Sequence, residues 1–102
     1  MLLGAVVGTV VSTRKDEALT GMKFLAVEEL DRSLKPTGRQ VVAVDAVGAG
    51  PGELVLYASG SSARLTKLTH ERAVDCVIMA IVDRIDTLEE SVYVKHSASQ
   101  ED

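Results

Sequence analysis

Apolar positions along this chain fall in short runs broken by glycine, proline and charge, and most of the runs read as strand. The first, Leu2–Thr13 (LLGAVVGTVVST), is rich in valine and threonine and interrupted by Gly4 and Gly8. It predicts one long curved strand in which the glycines mark bends or a close backbone approach. Arg14–Thr20 is charged and lacks strand periodicity, so it reads as a loop with at most one helical turn, ended by Gly21. Met22–Leu30 (MKFLAVEEL) puts Met22, Phe24 and Ala26 on one face and Lys23, Leu25 and Val27 on the other. The same segment scores as a helix. Its shortness and its place between two loops favour a strand. Asp31–Arg39 reads as a turn centred on Pro36-Thr37-Gly38.

Two strand-forming runs follow, Val41–Val47 and Glu53–Ala58, joined by Gly48-Ala49-Gly50-Pro51-Gly52. This pairing predicts a hairpin whose glycine-rich tip presses closely on something. Ser61 or Ser62 is positioned to cap a short helix over Ala63–Leu68, and Thr69–Ala73 is a loop. Val74–Asp83 (VDCVIMAIVD) is the most apolar strand. A turn over Asp86–Glu90 leads to a short edge strand, Ser91–Lys95. The pattern therefore predicts an all-β fold: about six strands in a small antiparallel barrel or sandwich, with one short helix. It forms a single domain over residues 1–96, and residues 97–102 (SASQED) read as a flexible tail.

The strands do not alternate apolar and polar as half-buried strands do. Leu2, Val6 and Val10 lie on one face of the first strand and Leu3, Ala5, Val7 and Val11 on the other; Val77–Val82 and Val41–Val44 are apolar throughout. Strands apolar on both faces need cover on both. One short helix cannot supply it, so the expected cover is another copy of the chain.

Composition narrows the chemistry. The 102 residues carry a net charge of −4 and only 3% aromatics (Phe24, Tyr57, Tyr93). A barrel that binds single-stranded nucleic acid needs a basic groove and stacking aromatics, so that alternative, like a ligand-binding module of the same type, is disfavoured. Cys76 lies in an apolar run and reads as a buried thiol, while His70 and His96 stand apart in polar surroundings, so no metal site or cofactor is expected. Asp45, Asp75 and Asp83 sit in strands or at their ends and read as turn or interface residues. GAGPGE lacks the lysine and long following helix of a phosphate-binding loop. No catalytic set emerges. No apolar run has the length of a membrane span and no basic residues precede the apolar N-terminus, so a cytoplasmic location is expected.

One resemblance adds to this reading. Gly8–Thr13 with Lys15, Leu19–Leu25, Val42–Val47 with Gly48-Ala49-Gly50 and Gly52-Glu53, Gly60–Arg64, Val74-Asp75 and Ile81–Asp83 follow one another as in the EutN/CcmL family. These are the small vertex proteins of bacterial microcompartment shells. The resemblance implies an OB-like β-barrel, not an enzyme, that assembles as a homopentamer at the five-fold corners of a shell otherwise tiled by hexameric shell proteins. It also suggests a subunit interface near the axis built from Gly48, Ala49, Gly50, Gly52 and Glu53 with Ser61, Ser62 and Arg64. Glu53 and Arg64 would be charge partners there.

Overall fold

The computed structural model describes residues 1–12, 17–60, 63 and 75–95. Seven strands are present among them: β1 (Leu2–Val10), β2 (Phe24–Leu30), β3 (Pro36–Asp45), β4 (Leu54–Ser59), β5 (Cys76–Ile81), β6 (Arg84–Asp86) and β7 (Ser91–Val94). A single 3₁₀ turn, Glu17–Leu19, stands in the loop where one helical turn at most is expected. Ser61, Ser62, the helix expected over residues 63–68 (Ala63 apart), the loop after it and the tail from residue 96 lie outside the described residues.

Strands β1 to β5 close into a barrel with the order β1-β2-β3-β5-β4. All neighbours are antiparallel except β3 and β5, which run parallel with Val44 opposite Val77 and Asp45 opposite Ile78. This is the five-stranded Greek-key barrel of OB type. The barrel corrects the hairpin reading. β3 and β4 do not pair with each other, because β5 lies between them and bonds to both. Residues 46–53 cross one end of the barrel, carrying Ala49 into the core at 1% exposure, where a tight reversal would have left it outside. The turn at 31–39 is also shorter than its composition suggests. Asp31 Oδ1 accepts from the backbone N–H groups of Ser33 and Lys35, closing the reversal early, and Pro36-Thr37-Gly38 already belong to β3.

The core is two clusters, one on each side of part of the sheet. Inside the barrel Val6, Leu25, Val27, Ala43, Ala49, Val55, Tyr57 and Ile78 pack together. Outside it Met22, Val44, Ala58, Ala63 and Val77 form a second layer, with Leu19, Phe24 and Met79 against it. This second layer explains half of the doubly apolar pattern without a partner subunit: the far faces of β3, β4 and β5 are covered by the chain's own residues 19–24 and 63. Elsewhere the cover is missing. Val7, Val42 and Val47 are 50%, 53% and 40% exposed.

Gly4 shows why glycine interrupts β1. A Cβ there would overlap Val27 Cγ1 and lie 3.0 Å from Tyr57 Cε1 and 3.1 Å from the carbonyl oxygen of Glu28. The barrel closes only because that strand carries no side chain at this point. Gly8, by contrast, has nothing within 4 Å and sits beside a β-bulge in the β1–β2 pairing.

Tyr57 fills the barrel at 0% exposure, and its buried hydroxyl makes no well-formed hydrogen bond among the described residues, although the Glu29 carboxylate lies close enough to act on it. Burial first, and the Glu29 charge second, push its pKa up, so the phenol stays neutral at physiological pH. Tyr57→Phe removes an unsatisfied polar atom while keeping the ring. The expected result is unchanged stability or a gain of up to about 1 kcal/mol in urea unfolding. A loss larger than that would reveal a partner for the hydroxyl.

Candidate assembly interface

The turn between β3 and β4 is built from its two ends inward. At the first end Asp45, with only 3% of its side chain exposed, accepts three backbone N–H groups on Oδ1: Val47 at 3.0 Å, Gly48 at 3.0 Å and Ala49 at 3.1 Å. One carboxylate oxygen thus replaces the bonds a regular strand would have given these amides. Gly48 adopts φ +80°, which a side chain would oppose. Lys23 lies alongside, its Nζ donating to the Ala49 carbonyl at 3.4 Å and standing 3.9 Å from Asp45 Oδ2.

At the second end Glu53 folds back. Its Oε1 accepts the Gly50 N–H at 2.7 Å, and its Oε2 meets Lys95 Nζ at 2.7 Å. Gly52, at φ +90°, donates its N–H to the Val6 carbonyl at 2.8 Å, and Val6 donates to the Glu53 carbonyl at 2.9 Å, so the turn is stitched to β1. Glu53 holds Lys95 above the ordinary lysine pKa through this bond.

The sequence-based candidates fall as follows. Gly48, Gly50 and Gly52 line the outer side of the turn, and Ala49 points into the barrel. Glu53 is about three-quarters buried, with Lys95 as an ion-pair partner. Ser61, Ser62 and Arg64 lie outside the described residues, and with them the expected Glu53–Arg64 pairing. Asp45, a turn or interface residue by its place in the sequence, is the anchor of the turn in the structure. Its signal was the spacing of an aspartate two to four residues ahead of a glycine-containing reversal.

Beyond the turn the surface carries a row of uncovered apolar groups. Val7 bulges out of β1, and next to it Gly8 pairs with Ala26, which pairs with Val42 on β3. The row crosses three strands; Val7 and Val42 at its ends are exposed, and Gly8 and Ala26 between them are partly buried. Among the described residues no group of three or more His, Cys, Asp or Glu is placed to hold a metal, and no helix is long and apolar enough to cross a membrane.

A closed OB-type barrel with a rigid, glycine-lined end turn and an unpartnered apolar face is the architecture of a small self-assembling module. The chain belongs to the family described as ethanolamine utilisation protein EutN/carboxysome, whose model matches residues 1–83. It is 47% identical to the bacterial microcompartment shell vertex protein GrpN of Rhodospirillum rubrum over 88 residues, 86% of this chain and 99% of that protein. The structure of the latter, described as a pentameric microcompartment shell protein, matches with a TM-score of 0.77, covering 85% of this chain and all (100%) of that one. The carboxysome shell vertex protein CcmL of Synechococcus elongatus is 43% identical over 97% of this chain and 100% of its own length. The CcmL structure from Gloeobacter violaceus matches with a TM-score of 0.89 at 38% identity, covering 95% of this chain and 100% of that one.

Proposed function

We propose that this protein is a structural component of a bacterial microcompartment shell, five copies of which close a ring that caps a five-fold vertex. The likeness along nearly the whole chain to shell vertex proteins, one of them pentameric, carries this reading. Geometry supplies the need. Hexagonal tiles alone form a plane, and closing that plane into a polyhedron requires five-fold points. A ring of identical head-to-tail contacts closes only when each contact turns the next subunit by an even fraction of the circle. Hexameric shell proteins are the partners that such a cap would meet at its rim. The uncovered valines Val7 and Val42 support a second copy as their cover, since each side chain buried contributes roughly 1.5–3 kcal/mol.

In this reading Gly48, Gly50, Gly52 and Glu53, with Ser61, Ser62 and Arg64, lie at the subunit interface or around the axis, and Ala49 shapes the turn from inside. Gly50 is the position that tests it. A Cβ there would meet only Glu53 Oε1 at 3.8 Å, and Gly50, unlike Gly48 and Gly52, is not at positive φ, so a single subunit tolerates a side chain. Gly50→Leu is expected to leave the circular dichroism spectrum intact while weakening the pentamer at least about tenfold in native mass spectrometry over a dilution series, the typical cost of overpacking a tight contact. Pentamers of unaltered strength would place the turn away from the interface. A wild-type protein that stays monomeric at micromolar concentration would overturn the vertex role itself.

A further inference from the structure

The hairpin β6–β7 forms its own two-stranded sheet and lies beyond residue 83, where the match to the family model ends. Its last contact reaches back 42 residues: Lys95, directly after β7, places its Nζ 2.7 Å from Glu53 Oε2. Both side chains are about three-quarters buried, at 23% and 24% exposure. The Lys95 backbone is fixed as well, its N–H donating to the Asp83 carbonyl at 2.7 Å. Glu53 cannot move without consequence, because its other oxygen holds the Gly50 N–H.

We propose that Lys95 is a positioning residue for assembly: by gripping Glu53 it fixes the outer half of the 48–53 turn, so the C-terminal hairpin sets how firmly neighbouring subunits bind. This rests on the vertex reading. The first half of the turn needs no such help, since Asp45 holds Val47, Gly48 and Ala49 from within the barrel. The second half is stitched to β1 by backbone bonds through Val6, and its side-chain brace, Glu53, is met by a cation delivered from another part of the chain. Among the described residues, the charged or titratable groups that face Lys95 are Glu53, Asp83 and Tyr93. Glu53 alone makes the direct bond.

The test uses the full-length chain and its Lys95→Met and Lys95→Arg variants. Native mass spectrometry across a dilution series reads pentamer strength; amide hydrogen exchange reads the turn. Lys95→Met is expected to weaken the pentamer about twofold to fivefold, as for loss of one partly exposed ion pair within each subunit. It should speed exchange at Gly50 while the buried strand amides of Leu25 and Val55 stay protected, and Lys95→Arg should restore most of both. Unchanged pentamer strength in Lys95→Met beside a pentameric wild type would refute the positioning role and leave the vertex reading standing. Equal loss of protection at Gly50, Leu25 and Val55 would also refute it, by showing a general effect on folding. A wild type that forms no pentamer removes both.

Discussion

Gly4→Val prevents the barrel from closing, and Gly4→Ala lowers its stability by about 1–3 kcal/mol or more. The added Cβ would overlap Val27 Cγ1, far inside contact distance, while the Glu28 carbonyl at 3.1 Å and the Tyr57 ring at 3.0 Å close the other exits. Val27 and Tyr57 are both fully buried and cannot swing into solvent. Relief therefore requires β1 to move away from β2 or β4, and β1 pairs with both through this residue, Gly4 facing Glu29 on one side and Val55 on the other. Gly8→Ala is the matched control. It adds the same methyl group to the same strand with nothing within 4 Å, so its effect on folding should stay within about 0.5 kcal/mol. Urea unfolding followed by circular dichroism separates the two. Equal effects would mean that strand propensity, and not the close approach under Tyr57, explains Gly4.

Asp45→Ala is expected to cost about 2–3 kcal/mol, because three amides, one buried and two part-buried, lose a charged acceptor at once. The bonds and the nearby lysine can be told apart. Asp45→Asn keeps an oxygen where Oδ1 stands and should retain most of the stability. Lys23, with 58% of its side chain exposed and its ammonium 3.9 Å from the carboxylate, contributes little as an ion pair, so Lys23→Ala should cost less than about 1 kcal/mol. Urea midpoints rank the three variants, and hydrogen exchange at Val47, Gly48 and Ala49 locates the effect. A larger loss for Lys23→Ala than for Asp45→Asn would make the charge pair, and not the amide cradle, the anchor of the turn.

If the turn forms the ring contact, as proposed, the two anchors also suit it to that role. A contact repeated around a closed ring multiplies any error in its angle. The turn is held by Asp45 from inside, by Glu53 from outside and by two backbone bonds to Val6, so its geometry is fixed before a neighbour arrives. Flexible glycines alone would not achieve this. Gly48 and Gly52 supply the unusual backbone angles, and the two carboxylates supply the stiffness.

The strands were legible because their residues are β-branched and short runs of them are bounded by glycine and proline. The faces of β2 were legible too: Leu25 and Val27 point into the barrel while Phe24 and Ala26 point out. The end of the reversal before β3 was not. Pro36 and Gly38 look like turn residues, yet the Asp31 carboxylate closes the chain upstream and leaves them in a strand. The expectation that every doubly apolar strand needs a sister subunit was half right. Val44, Ala58 and Val77 are covered by the chain's own Met22 and Ala63, whereas Val7 and Val42 have no such cover.

Local propensity and the run of motifs from Gly8 to Asp83 were enough to establish an all-β domain, its family and the turn around Gly50, since each depends only on residues near one another in the chain. Which strands pair could not be read that way. Placing β5 between β3 and β4, and bringing Lys95 to Glu53 across 42 residues, are outcomes of closing the barrel, where non-local hydrogen bonding and packing choose among pairings that local sequence leaves equal.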